Sequence, residues 1–189
     1  TGIDPINLIE KYGADATRFG IAWQIMGGQD IRFVEDNIVM GRKFCNKVWN
    51  AARFVLSNKP TRINANFGSL RSPRELTRIE NFTSADKEIL KSLDKTIKSV
   101  NNDLENFRFG PAARQLYRFF WHDFCDKYIE ESKEPRKNPS EILRGKRILL
   151  YVLLTSLKLL HPFVPFITEE IYQKLPQKSK RALIIEDWP

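Results

Sequence analysis

Residues 37–57, NIVMGRKFCNKVWNAARFVLS, decide how the rest of the chain is arranged. Wound as a helix at about 100° per residue, they gather Gly41, Phe44, Cys45, Val48, Ala51, Ala52 and Val55 on one small apolar face fit for a core. The opposite face gathers Lys43, Asn46, Lys47, Asn50, Arg53 and Phe54. A ring set among cations and amides has two readings. It packs under a neighbouring loop or helix, since single apolar residues at a surface are ordinary. Or it receives an unpaired RNA base, which stacks on a ring, accepts hydrogen bonds from amides and carries a phosphate for Lys or Arg.

Upstream of this stretch, Asp4-Pro5 opens a helix with a capping carboxylate and a proline in the first turn. A second short helix follows Gly13 and carries Phe19, Ile21, Ala22 and Trp23, more apolar surface than so short a piece can bury alone. Gly27-Gly28 is a break and no phosphate loop, because no Gly-Lys-Ser/Thr follows. Residues 30–33 read as extended. Downstream, residues 58–82 form a long basic loop with Lys59, Arg62, Arg71, Arg74 and Arg78, which we read as loosely packed. Thr83 caps the next helix with Asp86 three residues on. Leu90, Leu93, Ile97, Val100, Leu104 and Phe107 then make a seam for an antiparallel partner. Residues 112–132 carry Tyr117, Phe119, Phe120, Trp121, Phe124 and Tyr128 around more than half a helix, so this should be a central helix with its rings in the core. His122 beside them reads as structural. Ser140 caps a helix that is apolar nearly all round after Ile148. Pro165 starts a short last helix, and residues 182–185 read as one strand. The fold class is all-α, an up-and-down helical bundle.

With 189 residues, 42% of them hydrophobic, the chain can bury the core of one domain. The net charge of +8 favours a polyanionic partner, nucleic acid before acidic membrane. Cys45 and Cys125 lie on or beside apolar faces without metal-ligand spacing, as free buried thiols of a reducing, cytoplasmic compartment do. The apolar run 148–160 is interrupted by Thr155, Ser156 and Lys158, so no membrane span is expected. The start at Thr1, with no initiator Met and no signal peptide, reads as a piece excised from a longer protein. No Gly-x-Ser-x-Gly, Walker loop or His-Glu-x-x-His is present. The carboxylates Glu130-Glu131, Glu169-Glu170 and Asp123/Asp126 are adjacent or helical, and solvated or capping roles suit them. No catalytic residue and no metal ligand is assigned.

Five blocks, DPINLIEKYGADATRF, GGQDIRF, GRKFCNKVWNAARFVL, FRFGPAARQLYRFFWHDFCDKYIE and LLHPFVPFITEEIYQKLP, occur in this order across nearly the whole chain. Together they resemble the C-terminal part of the valyl-tRNA synthetase family, class I aminoacyl-tRNA synthetases. The resemblance implies a helical anticodon-binding domain over residues 34–176, preceded by a segment (1–33) that joins the catalytic core near the tRNA stem and followed by a C-terminal tail (177–189). It implies that Phe54 stacks on an anticodon base and that Lys47 and Arg53 meet the anticodon. Asn46 and Asn50 share that face, and Arg42 and Lys43 serve phosphates. Near Asn37, relatives carry a basic residue where this chain has an amide. The implied partners are the anticodon stem-loop of tRNA(Val) and the catalytic core of the same polypeptide, with no membrane and a monomeric state. No cofactor belongs to this piece. ATP and Mg²⁺ would serve the longer enzyme, which would activate valine and attach it to tRNA, and the piece alone would have no activity. Two other readings stand: a basic helical bundle that docks on a protein or another domain, and the same domain from an isoleucyl or leucyl relative.

Overall fold

The computed structural model describes residues 3–26, 33–57, 82–134, 138–175 and 178–189. The extended piece expected at 30–33 and the basic loop at 58–82 lie outside these residues, apart from Phe33 and Phe82. Two short helices, α1 (Pro5–Tyr12) and α2 (Ala14–Gln24), precede four long ones. These are α3 (Asp36–Ser57), α4 (Ser84–Glu105), α5 (Phe109–Arg118 continuing through Phe119–Ile129 to Glu130–Ser132) and α6 (Pro139–Leu160). A short α7 (Pro165–Gln173) follows. The long helices run alternately up and down. The end of α3 meets the start of α6 at Phe54, Gly145 and Leu149, and the start of α4 meets the end of α5 at Asp86 and Tyr128.

The face of α3 foreseen as apolar is the buried one: Gly41, Phe44, Val48, Ala51, Ala52 and Val55 lie in the core, joined by Ile38, while Cys45 is half-buried. Phe44 stacks on Phe19 of α2 at 4.7 Å and meets Phe120 of α5 edge-on at 6.0 Å. Helices α2 and α3 approach closely because two glycines face the crossing. A Cβ on Gly20 would lie 2.7 Å from the Asn37 carbonyl oxygen, and one on Gly41 would lie 2.6 Å from that of Ala16. Neither backbone has room to yield. On α2, Asp15 accepts hydrogen bonds from the backbone N–H groups of Phe166 (3.2 Å) and Ile167 (2.7 Å). It thereby caps α7, whose own preceding residue Val164 offers no side-chain cap.

Three sequence expectations change. Between Phe119 and Ile129 the helix α5 is π-helical. Its i→i+5 pairing takes more residues per turn than an α-helix. The buried residues of this stretch, Phe119, Phe120, Phe124, Cys125, Tyr128 and Ile129, recur at spacings of four and five. An α period scatters that set around the helix; the wider turn collects it on one side and frees the other for Trp121, His122, Asp126 and Lys127. Second, Phe107 is no seam residue. It follows the end of α4 in a left-handed turn (φ 56°), is 76% exposed, and meets only the edge of Phe109 among the described rings. Arg108, hydrogen-bonded to Asp103 at 2.9 Å, holds that turn. Third, residues 182–185 form no strand. Leu183–Ile185 is a single 3₁₀ turn, and the Leu183 N–H goes to the Glu169 carboxylate at 2.8 Å instead of to another strand. The chain end is pinned further by Lys158 on Glu186 (3.1 Å) and by the Trp188 indole N–H on Asn101 (2.8 Å).

A polar knot closes one end of the bundle. Asp86 has no exposed surface. Its carboxylate accepts from the Thr83 N–H in a capping box (3.2 Å) and from the Tyr128 hydroxyl (2.7 Å), and faces the buried Arg144 guanidinium at 3.5 Å. One side chain thus joins α4, α5 and α6. Replacing Asp86 with Ala should cost about 3–5 kcal/mol, because Arg144 would stay buried without its counter-charge. Tyr128→Phe should cost only about 0.5–1.5 kcal/mol, the net worth of one hydrogen bond. Urea unfolding followed by circular dichroism separates the two.

Candidate nucleic-acid interface

The outward face of α3 carries Arg42, Lys43, Asn46, Asn50 and Arg53, all exposed. The other two residues singled out from the sequence, Lys47 and Phe54, are half-buried. They lie two turns apart on the flank of α3 that borders α5. Helices α3 and α5 run parallel here, so a shallow valley forms with Lys47 and Phe54 on one bank and Trp121, His122, Asp126 and Lys133 on the other.

Lys47 is not a bare cation. Its ammonium lies 2.9 Å from Asp126 Oδ1 and 5.1 Å from the centre of the Trp121 ring, which itself stacks on Tyr117 at 5.2 Å. Partial burial works to lower the Lys47 pKa, but the Asp126 carboxylate outweighs it and holds the group above its ordinary value. On Asp126, burial pushes the carboxyl up, while the Lys47 ammonium and the His122 ring, with Nδ1 3.2 Å from Oδ2, hold it below the usual carboxylate range. The two side chains keep 32% and 43% of their surface, so the pair contributes under about 1 kcal/mol to stability and serves geometry more than folding.

Phe54 answers to both readings of the sequence. One side of the ring packs on the core. It also lines a groove of about 360 Å³ together with Ser132, Lys133, Glu134, Ile142, Gly145, Lys146 and Leu149. The Lys133 ammonium stands 5.8 Å from the ring centre and is paired with Glu130 at 2.6 Å. Arg53, one residue earlier, points away into solvent. The structure therefore brings Lys47 and Phe54 together with α5 and leaves the other five on the open face.

Sequence reasoning passed over the α5 bank. Trp121 was counted with the core rings, Asp126 with solvated carboxylates and Lys133 with a basic turn. The signal that separates them is the four-and-five spacing of the buried residues, which puts 121, 122 and 126 on the outward side. His122 is exposed and paired with Asp126, whereas His161 bonds Thr168 at 2.8 Å. Among the described residues no cluster of His, Cys, Asp or Glu could hold a metal ion. No helix among them is long and apolar enough to cross a membrane.

An alternating bundle with a cation- and amide-rich helix face beside half-buried rings is the architecture of a helical nucleic-acid-facing domain. Residues 86–189 match the anticodon-binding domain of tRNA ligase, and the chain belongs to that family. It is 45% identical over 188 residues to the valine–tRNA ligase of Thermotoga maritima and 42% identical over 190 residues to that of Bacillus cereus. These alignments take in all of this chain and 20% of each relative, so it spans about a fifth of their length. Two solved structures share the fold at 20% identity. One is a ternary complex of the Agrobacterium radiobacter K84 agnB2 LeuRS with tRNA and LeuAMS (TM-score 0.70, 99% of this chain and 20% of that one). The other is Mycobacterium tuberculosis methionyl-tRNA synthetase with methionyl-adenylate (TM-score 0.70, 96% and 35%).

Both thiols under this surface are free, and burial pushes each up to about 12. In the unfolded chain they ionise from about pH 8.5. Between these values the folded state holds more protons, so their contribution is complete below about pH 8.5 and is lost as pH rises toward 12. Urea midpoints at pH 8 and pH 10.5 should therefore fall further for the unaltered chain than for the Cys45→Ala/Cys125→Ala double variant.

Proposed function

We propose that this chain is the anticodon-binding domain of a valine–tRNA ligase and reads the anticodon loop of tRNA(Val). The observation that carries the reading is the row of exposed cations and amides on α3, ending at a ring that lines a groove. Valine anticodons share a middle adenine and a third cytosine, and unpaired loop bases offer both their faces and their pairing edges. Phe54 stacks on one base, contributing about 1–3 kcal/mol. Lys47, fixed by Asp126, turns its remaining N–H donors toward the loop, since an ammonium carries three. Arg53 supplies charge and orientation, Asn46 and Asn50 meet base edges, and Arg42 and Lys43 neutralise phosphates.

In this proposal residues 34–176 form the reading domain, residues 1–33 lead from the catalytic core, and residues 177–189 form the tail. The exposed Ile3, Ile6 and Ile9 on and before α1 support a docking role for the first segment. Valine activation with ATP and Mg²⁺, and transfer to the tRNA 3′ end, belong to the longer enzyme. The chain alone is a monomer without that activity.

Titration of a labelled tRNA(Val) anticodon stem-loop should show binding that weakens linearly in log–log form as salt is raised. Phe54→Ala and Lys47→Ala should each weaken it between about fivefold and a hundredfold with melting unchanged. A bundle that only docks on protein would bind neither heparin nor the hairpin at moderate salt. Titrations identical to the unaltered chain for both variants would count against this face.

A further inference from the structure

Within the cationic surface, Asp126 has the wrong sign for phosphates. Its carboxylate is 43% exposed and stands between Lys47 and His122, opposite the face assigned to RNA. An ionised carboxylate only accepts hydrogen bonds, and its two oxygens offer about four acceptor positions. Lys47 takes one on Oδ1 and His122 faces one on Oδ2, which leaves acceptor capacity at the mouth of the valley. Anchored from both sides, the group cannot swing away. What an unpaired base can offer to a fixed acceptor is an exocyclic amino group, N4 of cytosine or N6 of adenine; uracil presents an oxygen there instead.

We propose that Asp126 is a base-reading acceptor: its carboxylate, held by Lys47 and His122, takes a hydrogen bond from the exocyclic amino group of one unpaired cytosine or adenine in the RNA loop. This rests on the RNA-binding reading above and adds a specificity residue to it. Phe54 and Lys47 are about 10 Å apart along α3. The base over the ring and the base facing Asp126 are therefore different nucleotides.

The test compares the unaltered chain with Asp126→Asn by fluorescence anisotropy against three hairpins. One carries the adenine-cytosine loop, one has the cytosine replaced by uracil, and one has the adenine replaced by purine, which lacks N6. The unaltered chain should prefer the first hairpin by roughly tenfold over one of the other two, the size of one base-edge contact. Asp126→Asn should erase or invert that preference, because an amide can donate to the uracil oxygen, while binding to the amino-less hairpin holds. A uniform loss on all three hairpins would overturn the proposal, since Asp126 would then act only by placing Lys47. So would an amino preference that survives in Asp126→Asn, or none in the unaltered chain. If the unaltered chain binds no hairpin, the anticodon reading falls with it.

Discussion

The Asp86 carboxylate is the contact on which the working end of the bundle depends. It is buried, and a buried charge is tolerated only when it is paired and hydrogen-bonded. Thr83, Tyr128 and Arg144 do that from three helices. The knot lies at the end where α3 finishes with Phe54. Lys133 follows Tyr128 by little more than a turn, and Gly145 and Lys146 follow Arg144 directly. The walls of the groove beside Phe54 are thus set by the residues that hold Asp86. Hydrophobic packing alone would leave α5 and α6 free to slide by a fraction of a turn; a carboxylate with three fixed partners does not allow it.

The π-helical stretch of α5 has the complementary effect on the outer surface. It keeps six large or sulfur-bearing side chains inside and still leaves an outward strip for Trp121, His122 and Asp126. That strip runs beside α3 and turns a single-helix surface into a two-banked one. π-Helical turns are uncommon and tend to mark functional positions, which fits their place here.

Much of this was legible in the sequence because α3 is a regular helix with a clean division of small apolar and charged positions. Its buried face, the all-α class, the capping box at Thr83 and the free thiols follow from local rules. The faces of α5 did not, because a period of 3.6 was applied where the helix winds more slowly. Phe107 was drawn into the α4 seam by its spacing, although Asn106 and the Arg108–Asp103 bond end the helix before it. The strand expected at 182–185 rested on β-favouring residues alone. Without a partner strand, its N–H groups turned to Glu169 and to the turn itself. On the candidate surface, residue type singled out the α3 bank, but charge pairing across helices is a tertiary fact, and only the fold reveals that Lys47 is shared with α5.

The bond from Asp15 to the first amides of α7 spans 151 positions of sequence. Helix α7 in turn holds the last residues, through Glu169 on Leu183 and Tyr172 on the Lys180 carbonyl. The two termini are therefore one mechanical piece, clasped across the bundle. A tilt imposed on α2 by anything that docks against the leading helices is transmitted to the closing residues without passing through α3. A chain shortened at its front would come undone at its back.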